Sequence, residues 1–570
     1  MKGIAHYINQ FVPLLNTLKN YDKKTFKGDA AAGITVGIML IPQGMAYAVL
    51  AGLPPVYGLY ASIVPLLIYA ILGTSRQLAV GPVAMVSLLV LAGVGELAEV
   101  GSDRFIQLAI LTAFGVGLVQ FLMGLFRMGF MVNFLSHPVL SGFTSAAAII
   151  IGASQVKNLT GLEMERTNKV FEIVYHTAFN LSDIDLITAS IGIGSIAVMV
   201  LIKKWKRTFP SALIVVAAGI LVTYLFALNQ YDVAIVGDIP KGLPSFSTEF
   251  LSIGDIRPIM TIVLVIALVS YMESIAVAKA NANKKGYKVD ANQELIALGG
   301  ANIGGSFFQS FPVTGGFSRT AVNDQSGANS TVASVFSVIL VAFTVLFLTP
   351  LFYYLPGAVL AAIIIVAVAG LFDYKEMIKL WRTDRKDLAM LAVTFFATLF
   401  LGIEEGIAIG VILSLAVVIY SSTKPHYAEV GQLGDSQTYR NIRRFPEAKI
   451  LDEILIYRFD SNLYFANVEH FRETIDNKVF EHGAPLELLI IEGSAITDID
   501  STGIDVLDRL IDDMHQKGIN IFMSGVHGPV RDKLKLSGIA EKMNNECFFF
   551  DISEAVQYYK KKEQGLLHSA

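Results

Sequence analysis

The segment SFFQSFPVTGGFSR, residues 306–319, places polar groups and an arginine inside a long apolar part of the chain. Arg319 is a permanent cation whose fork of N–H donors suits an oxyanion, and Ser318 and Thr314 add hydroxyl donors. A helix that begins here would also direct unpaired backbone N–H groups, with roughly half an elementary charge, at a ligand. We therefore expect an anion site, rather than a loop arginine beside glycines that only let helices pack closely.

A second segment, RQLAVGPVAMVSLLV at residues 76–90, has the same plan of an extended stretch, a glycine and proline, and then an apolar helix. If the two segments cross a bilayer in opposite directions, each presents a helix N-terminus near the midplane. Interrupted segments at corresponding places in two halves indicate an inverted-repeat transporter, and irregular backbone at that depth requires a cavity or protein around it. The sequence predicts a cavity between the two N-termini, where Gly315 and Gly316 let the backbone approach a ligand.

Glu273 is the acidic residue of an otherwise apolar stretch, residues 259–278. A buried carboxyl group that gains and loses a proton beside an anion site could couple anion uptake to proton entry. A permanent counter-ion for Arg319 is the other interpretation, and the two roles are compatible. Sodium is less expected as the coupling ion, because Ala276 and Val277, one turn further along the helix, offer no oxygen ligands.

The stretch LIPQGMAYA, residues 40–48, places Gln43 and Tyr47 one turn apart on one helical face. Both side chains are candidates to line the cavity. The alternative is a helix kinked at Pro42, in which Gln43 bonds to a neighbouring backbone and Tyr47 serves packing.

The composition indicates what surrounds these residues. Of 570 residues, 54% are hydrophobic and 16% charged, which is the balance of an integral membrane protein. The first 424 residues contain 28 basic and 24 acidic residues, and the last 146 contain 16 and 24, so a membrane domain precedes a soluble, acidic one. No nucleic-acid partner is indicated. The single cysteine, Cys547, excludes an intrachain disulfide, and no Cys/His spacing predicts a zinc site.

A membrane-spanning helix needs about 20 predominantly apolar residues, and about fourteen candidates follow from that rule. They are residues 29–49, 56–72, 82–97, 105–126, 130–153, 185–203, 211–227, 258–281, 289–307, 318–329, 332–352, 356–371, 387–402 and 404–420. Strict alternation places every basic cluster on one side, so the positive-inside rule predicts cytoplasmic N- and C-termini. The expected location is the cell (inner) membrane. No removable signal peptide is predicted.

The predicted organisation has four parts. Residues 1–28 form a cytoplasmic N-terminal segment, and residues 29–424 form the transmembrane domain, with halves at 29–227 and 258–424. Residues 425–560 form a small cytoplasmic α/β domain, and residues 561–570 form a C-terminal tail.

Three motifs carry a resemblance to a known family. The runs GLPPVYGLYASIVPLLIYAILGTSRQLAVGPVAM, residues 52–85, and NQELIALGGANIGGSFFQSFPVTGGFSRTAVN, residues 292–323, resemble the diagnostic stretches of the sulfate permease (SulP) family. Its animal members are the solute carrier 26 proteins. LLIIEGSAITDIDSTGIDVLDRLIDDM, residues 488–514, is similar to the STAS domain of sulfate transporters and anti-sigma-factor antagonists. The motifs occur in the family's order, and the resemblance covers residues 20–560.

The resemblance implies a polytopic α-helical fold of fourteen spans in a seven-plus-seven inverted repeat. It also implies UraA-like core and gate domains, a STAS domain, a homodimer, and elevator-type alternating access. It assigns the substrate site to the N-termini of the third and tenth helices and to the first helix, and the coupling carboxylate to Glu273. The implied substrate-binding residues are Gln43, Tyr47, Val83, Ala84, Phe317, Ser318 and Arg319.

In the soluble domain, Ser501 of DIDSTG takes the place of the serine that is phosphorylated in related antagonists. A simpler reading is that Asp500 or Ser501 caps the following helix. The domain has no Walker loop, nucleophile elbow or HExxH motif, so no enzyme is predicted. The sequence allows a cytoplasmic partner for the STAS domain but does not identify it.

The leading functional hypothesis is a secondary transporter that carries a small oxyanion, first of all sulfate, in symport with protons and without a cofactor. A bicarbonate or dicarboxylate transporter, and an uncoupled exchanger or channel, are alternatives on the same scaffold. A membrane sensor that acts through the STAS domain is a further alternative, and it predicts no anion flux.

Overall fold

We describe a computed structural model of the chain over residues 12–19, 21–130, 136–162, 164, 169–205, 209–252, 257–434, 436–483, 486–543 and 547–564. Residues 1–11 of the predicted N-terminal segment, 131–135 of the fifth predicted span and 565–570 of the predicted tail lie outside these ranges. The contacts within the chain divide it into two compact units, Met1–Ser414 and Leu415–Ala570. This division lies before the predicted domain boundary at residue 424, which stays a prediction.

The first unit is almost entirely helical. Its helices, the last of which continues into the second unit, are α1 (Pro13–Lys19), α2 (Lys23–Leu50), α3 (Pro55–Tyr60), α4 (Val64–Leu72), α5 (Ala84–Gly95), α6 (Asp103–Leu125), α7 (His137–Ser154), α8 (Val156–Thr160), α9 (Val170–Phe179), α10 (Leu186–Trp205), α11 (Ser211–Leu225), α12 (Met260–Lys285), α13 (Ala291–Ser306), α14 (Phe317–Gln325), α15 (Val332–Phe343), α16 (Gly357–Val368), α17 (Tyr374–Thr383), α18 (Arg385–Phe400) and α19 (Ile403–Thr423). Its two strands are β1 (Val80–Gly81) and β2 (Thr314–Gly315).

Each of the fourteen predicted spans contains a helix. Within the described ranges, nine helical segments are long and apolar enough to cross a membrane. Helices α5 and α11 are apolar but shorter, and α14 has only nine residues. The polytopic helical class is therefore confirmed, whereas the count of fourteen crossings stays a prediction.

Large apolar side chains are exposed on the outer helices of this unit. They include Leu186 and Leu201 on α10, Leu225 on α11, Phe400 on α18 and Ile412 on α19. Soluble proteins rarely expose apolar surface on this scale, and a bilayer covers it without cost.

Small residues let the inner helices approach closely. A Cβ atom added to Gly299 of α13 would lie 2.5 Å from the backbone nitrogen of Phe121 in α6, and one added to Gly117 would lie 2.6 Å from the nitrogen of Ile303. On α2, a Cβ at Gly33 would lie 2.1 Å from the carbonyl oxygen of Ala333. Such spacing is typical of helix packing in membranes, where close van der Waals contact replaces the hydrophobic effect.

The second unit contains an α/β domain. Its strands are β3 (Tyr427–Leu433), β4 (Tyr439–Asn441), β5 (Ala448–Lys449), β6 (Ile454–Phe459), β7 (Leu488–Glu492), β8 (Asn520–Ser524) and β9 (Phe548–Phe549). Its helices are α20 (Val468–His482), α21 (Ser501–Gln516), α22 (Gly528–Leu536), α23 (Ile539–Lys542) and α24 (Ile552–Glu563). Strands β6, β7, β8 and β9 are parallel, and β3 pairs antiparallel with β6. Apolar runs such as LLIIE in β7 are buried because helices cover both faces of the parallel strands.

Candidate anion site

A cavity of about 440 Å³ in the first unit brings together the residues that the sequence singled out. Gln43 and Tyr47 of α2, Glu273 of α12, and the starts of α5 and α14 all line it. Residues of α10, α11 and α16 line the rest of the cavity. The lining residues are Met39, Gln43, Tyr47, Val83, Ala84, Met85, Met199, Lys203, Phe209, Ser211, Ala212, Glu273, Gly316, Phe317, Ser318, Arg319, Ala321, Val322, Ile363, Val366, Ala367, Gly370 and Leu371.

Two helices begin at this cavity, and neither has a side-chain cap. The first helical hydrogen bond of α5 runs from the Ser87 nitrogen to the Val83 oxygen (3.0 Å), and that of α14 runs from the Thr320 nitrogen to the Gly316 oxygen (2.9 Å). Neither helix has a side-chain cap, because the N-cap residues, Val83 and Gly316, carry no side-chain hydrogen-bond acceptor. The amides of each first turn are therefore left for a ligand, together with the positive end of each helix dipole.

A short pairing of strands holds the two N-termini together. Strand β1 precedes α5, β2 precedes α14, and they pair antiparallel with Val80 opposite Gly315. The Gly316 nitrogen donates to the Ala79 oxygen at 3.0 Å, and the Ala79 nitrogen donates to the Thr320 hydroxyl at 3.0 Å. Two segments of inverted direction thus meet as the sequence predicted.

Arg319 connects the two half-helices. Its side chain is only 2% exposed, and Nη1 donates to the carbonyl oxygen of Pro82 at 2.6 Å, just ahead of α5. Its Nε and Nη2 atoms are buried and have no hydrogen-bond partner in the part of the chain that the structure describes. Because an unsatisfied buried guanidinium donor is costly, these two donors indicate a place for an acceptor such as an oxyanion.

Glu273 lines the same cavity and is 9% exposed. Its Oε2 atom is buried and accepts no hydrogen bond from the described residues. Across those residues, no ion pair within 4.0 Å joins Glu273 to Arg319. The two charged groups therefore face the cavity without pairing directly, so each is free to interact with a ligand or a proton.

Thr314 does not face the ligand cavity, contrary to the sequence expectation. It is fully buried, its hydroxyl donates to the Ser270 oxygen at 2.6 Å, and it lies 2.6 Å from the hydroxyl of Ser274. The Ser274 hydroxyl also accepts from the Gly315 nitrogen at 2.8 Å. Strand β2 is thus attached to α12 beside Glu273. Ser270 and Ser274, one turn apart, were the available signal for this contact, and the sequence interpretation missed it.

The two glycines before α14 differ in their surroundings. A Cβ atom at Gly315 would lie 2.6 Å from Cδ1 of Leu78, and Gly315 does not line the cavity, so it makes room for protein. Gly316 does line the cavity, where a Cβ atom would lie 2.9 Å from Nη2 of Arg319, so its expected role in ligand approach stays a prediction. Gly81 has a φ of 153°, a conformation that favours glycine, and its Cα faces the Arg319 guanidinium.

Gln43 and Tyr47 both reach the cavity from α2. Gln43 makes no hydrogen bond with the described protein groups, so the alternative in which it bonds to a neighbouring backbone has no support. A direct role of either side chain in binding stays a prediction.

Two buried carboxylates anchor the loops on either side of the half-helices. Glu294 of α13 accepts from the Tyr69 hydroxyl (2.8 Å) and from the Thr74 and Ser75 nitrogens (2.7 and 3.0 Å), in the loop before β1. Asp29 of α2 accepts from the nitrogens of residues 329 and 330, after α14, at 2.7 and 3.0 Å. These bonds satisfy the carboxyl oxygens and fix the ends of both interrupted segments.

Comparison with known proteins decides the family. The profile of the Sulfate permease family matches residues 26–394, and a STAS domain profile matches residues 445–556. The chloroplastic sulfate transporter 4.1 of Arabidopsis thaliana is 40% identical over 97% of this chain and 83% of its own length. The chain belongs to the sulfate permease family. It is also 35% identical to high affinity sulfate transporter 2 of Stylosanthes hamata, over 96% of this chain and 86% of that protein.

Solved structures agree with this membership. Murine solute carrier 26 family member A9, an anion transporter captured in the inward-facing state, superposes with a TM-score of 0.89 at 28% identity, over 97% of this chain and 95% of that one. The transmembrane domain of the cyanobacterial bicarbonate transporter BicA superposes with a TM-score of 0.59 at 19% identity, over 69% of this chain and 98% of that one, and shows the shared fold. The predicted membrane fold with a C-terminal STAS domain is confirmed. As a family member, the chain is a multi-pass membrane transporter of small anions, and it belongs to a class of transporters rather than of enzymes.

In the STAS domain of this permease, Asp500 is the cap of α21. Its Oδ1 accepts from the Gly503 nitrogen at 2.8 Å, and its Oδ2 accepts from the Phe465 nitrogen at 2.9 Å. Ser501 is the first residue of the helix and is exposed. Of the two residues considered as the cap, Asp500 is the one, and phosphorylation of Ser501 stays a prediction.

The sequence interpretation also missed Lys203. Lys203 belongs to a basic run at the end of a predicted span, and that run served only to predict the orientation of the chain in the membrane. In the structure Lys203 lines the cavity.

Proposed function

We propose that the protein is a secondary active transporter that carries sulfate inward in symport with protons. The observation that carries the proposal is Arg319, which lies between two uncapped helix N-termini with two donors unsatisfied. Two helix dipoles and a guanidinium concentrate positive charge at this point and favour a bound anion. Sulfate is favoured among small anions because the relatives of 40% and 35% identity are named sulfate transporters.

Glu273 supplies the proton coupling in this proposal. It shares the cavity with Arg319 but is not paired with it, so its protonation changes the net charge that the bound anion meets. When Glu273 is protonated, the site attracts a dianion more strongly, and sulfate and the proton move together. The proton is the coupling ion, and no other cofactor is required.

Movement of one wall of the cavity against the other would give elevator-type access to both sides. Helices α2, α5, α12 and α14 carry the proposed binding residues, and α10, α11 and α16 line the rest of the cavity. The β1–β2 pairing and the bonds of Ser274 join α5, α12 and α14, and those of Asp29 join α2 to the segment after α14, so that the site would travel intact. A homodimer, a cell-membrane location with cytoplasmic termini, and a cytoplasmic partner for the STAS domain complete the proposal.

Uptake by proteoliposomes tests it. The purified full chain is reconstituted, and entry of labelled sulfate, bicarbonate and fumarate is measured with and without an inward proton gradient. We expect sulfate uptake to be the fastest and to rise when the outside is acidified. Sulfate uptake that is unaffected by the gradient would contradict symport, and absence of flux for all three anions would contradict transport and favour a sensor.

A further inference from the structure

Lys203 lines the cavity from α10, a helix that carries none of the proposed binding residues. It is in the last turn of α10, and Met199, one turn earlier, lines the cavity with it. Residues four apart share one helical face, whereas Lys204 is rotated away and does not line the cavity. The chain thus offers two adjacent lysines that differ in this respect.

Lys203 is one of four charged or titratable residues among the described cavity-lining residues; the others are Arg319, Glu273 and Tyr47. None of the ion pairs within the described residues includes Lys203, and its ammonium group has no hydrogen-bond partner there. With Tyr47 neutral and Glu273 ionised, these side chains sum to a net charge of +1. With Glu273 protonated, they sum to +2.

We propose that Lys203 is a specificity-determining residue that supplies the second positive charge needed to balance a dianion in the cavity. This inference rests on the proposed function. Opposite charges attract over the dimensions of such a cavity, so the loaded cavity is favoured when ligand and lining charges cancel. Lys203 itself is exposed, so its ammonium group is accessible to an entering anion. A dianion cancels the charge of the cavity with Glu273 protonated, and a monoanion cancels it with Glu273 ionised.

The valence of the anion therefore determines whether a proton accompanies it. Sulfate or fumarate enters with a proton on Glu273, whereas bicarbonate enters without one. Removing the charge of Lys203 lowers both sums by one. The cavity with Glu273 protonated then matches a monoanion, and no protonation state of Glu273 matches a dianion.

The experiment compares K203Q, K203R and the matched control K204Q in proteoliposomes, with labelled sulfate and bicarbonate at several concentrations. We expect K203Q to raise the KM for sulfate about tenfold, which corresponds to about 1.4 kcal/mol, while the KM for bicarbonate changes less than twofold. K203R retains the charge and should restore sulfate uptake. K204Q should behave as the wild type for both anions.

The outcomes separate this inference from the proposed function. If the wild type takes up sulfate with protons and K203Q matches K204Q for both anions, Lys203 has no role in valence selection and the inference is wrong. An equal loss of sulfate and bicarbonate uptake in K203Q would also overturn it, because charge matching predicts a selective loss. If the wild type moves no sulfate, the proposed function fails first. Elution of each variant as a single species in size-exclusion chromatography checks folding.

Discussion

The two half-helices α5 and α14 meet at the cavity with the same backbone and different side chains. Each follows a two-residue strand, and each begins without a side-chain cap. The first turn of α5 carries Ala84, Met85 and Val86, which offer only backbone donors. The first turn of α14 carries Ser318 and Arg319, and Arg319 donates to the Pro82 carbonyl ahead of α5.

This difference indicates how the two half-helices would share the binding energy of an anion. Both N-termini supply backbone amides and the positive end of a helix dipole. These groups attract an anion but do not distinguish a monoanion from a dianion. Of the two half-helices, only α14 supplies a fixed charge, and Arg319 also holds α5 in place through Pro82. A change on the α14 side should therefore be more damaging than the corresponding change on the α5 side.

The largest effect is expected from R319A. Loss of the guanidinium removes the charge-assisted donors and leaves the Pro82 carbonyl unpaired, so we expect sulfate uptake to fall about 100-fold. The measurement is kcat/KM for labelled sulfate in proteoliposomes. R104A removes an exposed arginine at the start of α6 and should leave uptake unchanged. Normal binding and transport by R319A would remove the central assignment.

The next effect concerns Glu273, which lies beside β2 and thus also on the α14 side. E273Q keeps the shape of the side chain and cannot release or bind a proton, so sulfate uptake should no longer respond to a pH gradient. In the wild type, acidification of the side from which sulfate enters should raise uptake. E249Q, outside this cavity, is the control and should retain the response. Intact coupling in E273Q would contradict the assignment.

A smaller effect should follow from replacing one serine associated with each half-helix, Ser274 for α14 and Ser87 for α5. S274A removes the hydroxyl that accepts from Gly315 and contacts Thr314, so β2 loses a support and the KM for sulfate should rise about fivefold. Ser87 of α5 is buried and its hydroxyl has no partner in the described structure. We expect S87A to change the KM less than twofold. Equal effects of S274A and S87A would contradict the proposed inequality of the two half-helices.

The smallest effect on transport belongs to α21, a capped helix that contrasts with both half-helices. D500A removes the acceptor for the Gly503 and Phe465 nitrogens and should destabilise the STAS domain by about 1 kcal/mol. Thermal unfolding of the full chain, followed by fluorescence, measures this. S501A should alter neither unfolding nor sulfate uptake. A change in uptake with S501A would support a regulatory role for that hydroxyl.

Sequence patterns predicted most of the candidate anion site because residue type and spacing reflect local chemistry. An arginine and a glutamate inside apolar spans are costly unless they face a cavity, so Arg319 and Glu273 were identifiable without a fold. Pro82 and Pro312 mark interrupted helices for the same local reason. The apolar stretches predicted the polytopic class but not a count of crossings, because several helices are shorter than a bilayer is thick.

The sequence by itself determined that this is a membrane protein with two helix breaks and an α/β domain after them, and it predicted an anion site at those breaks. Only the tertiary structure decided which groups face the cavity. Thr314 bonds to α12, Gly315 makes room for Leu78, and Lys203 lines the cavity from α10. Residue type and spacing fix what a side chain can do and which helical face it occupies. The partner of that face depends on the packing of segments that are tens to hundreds of residues apart in the chain.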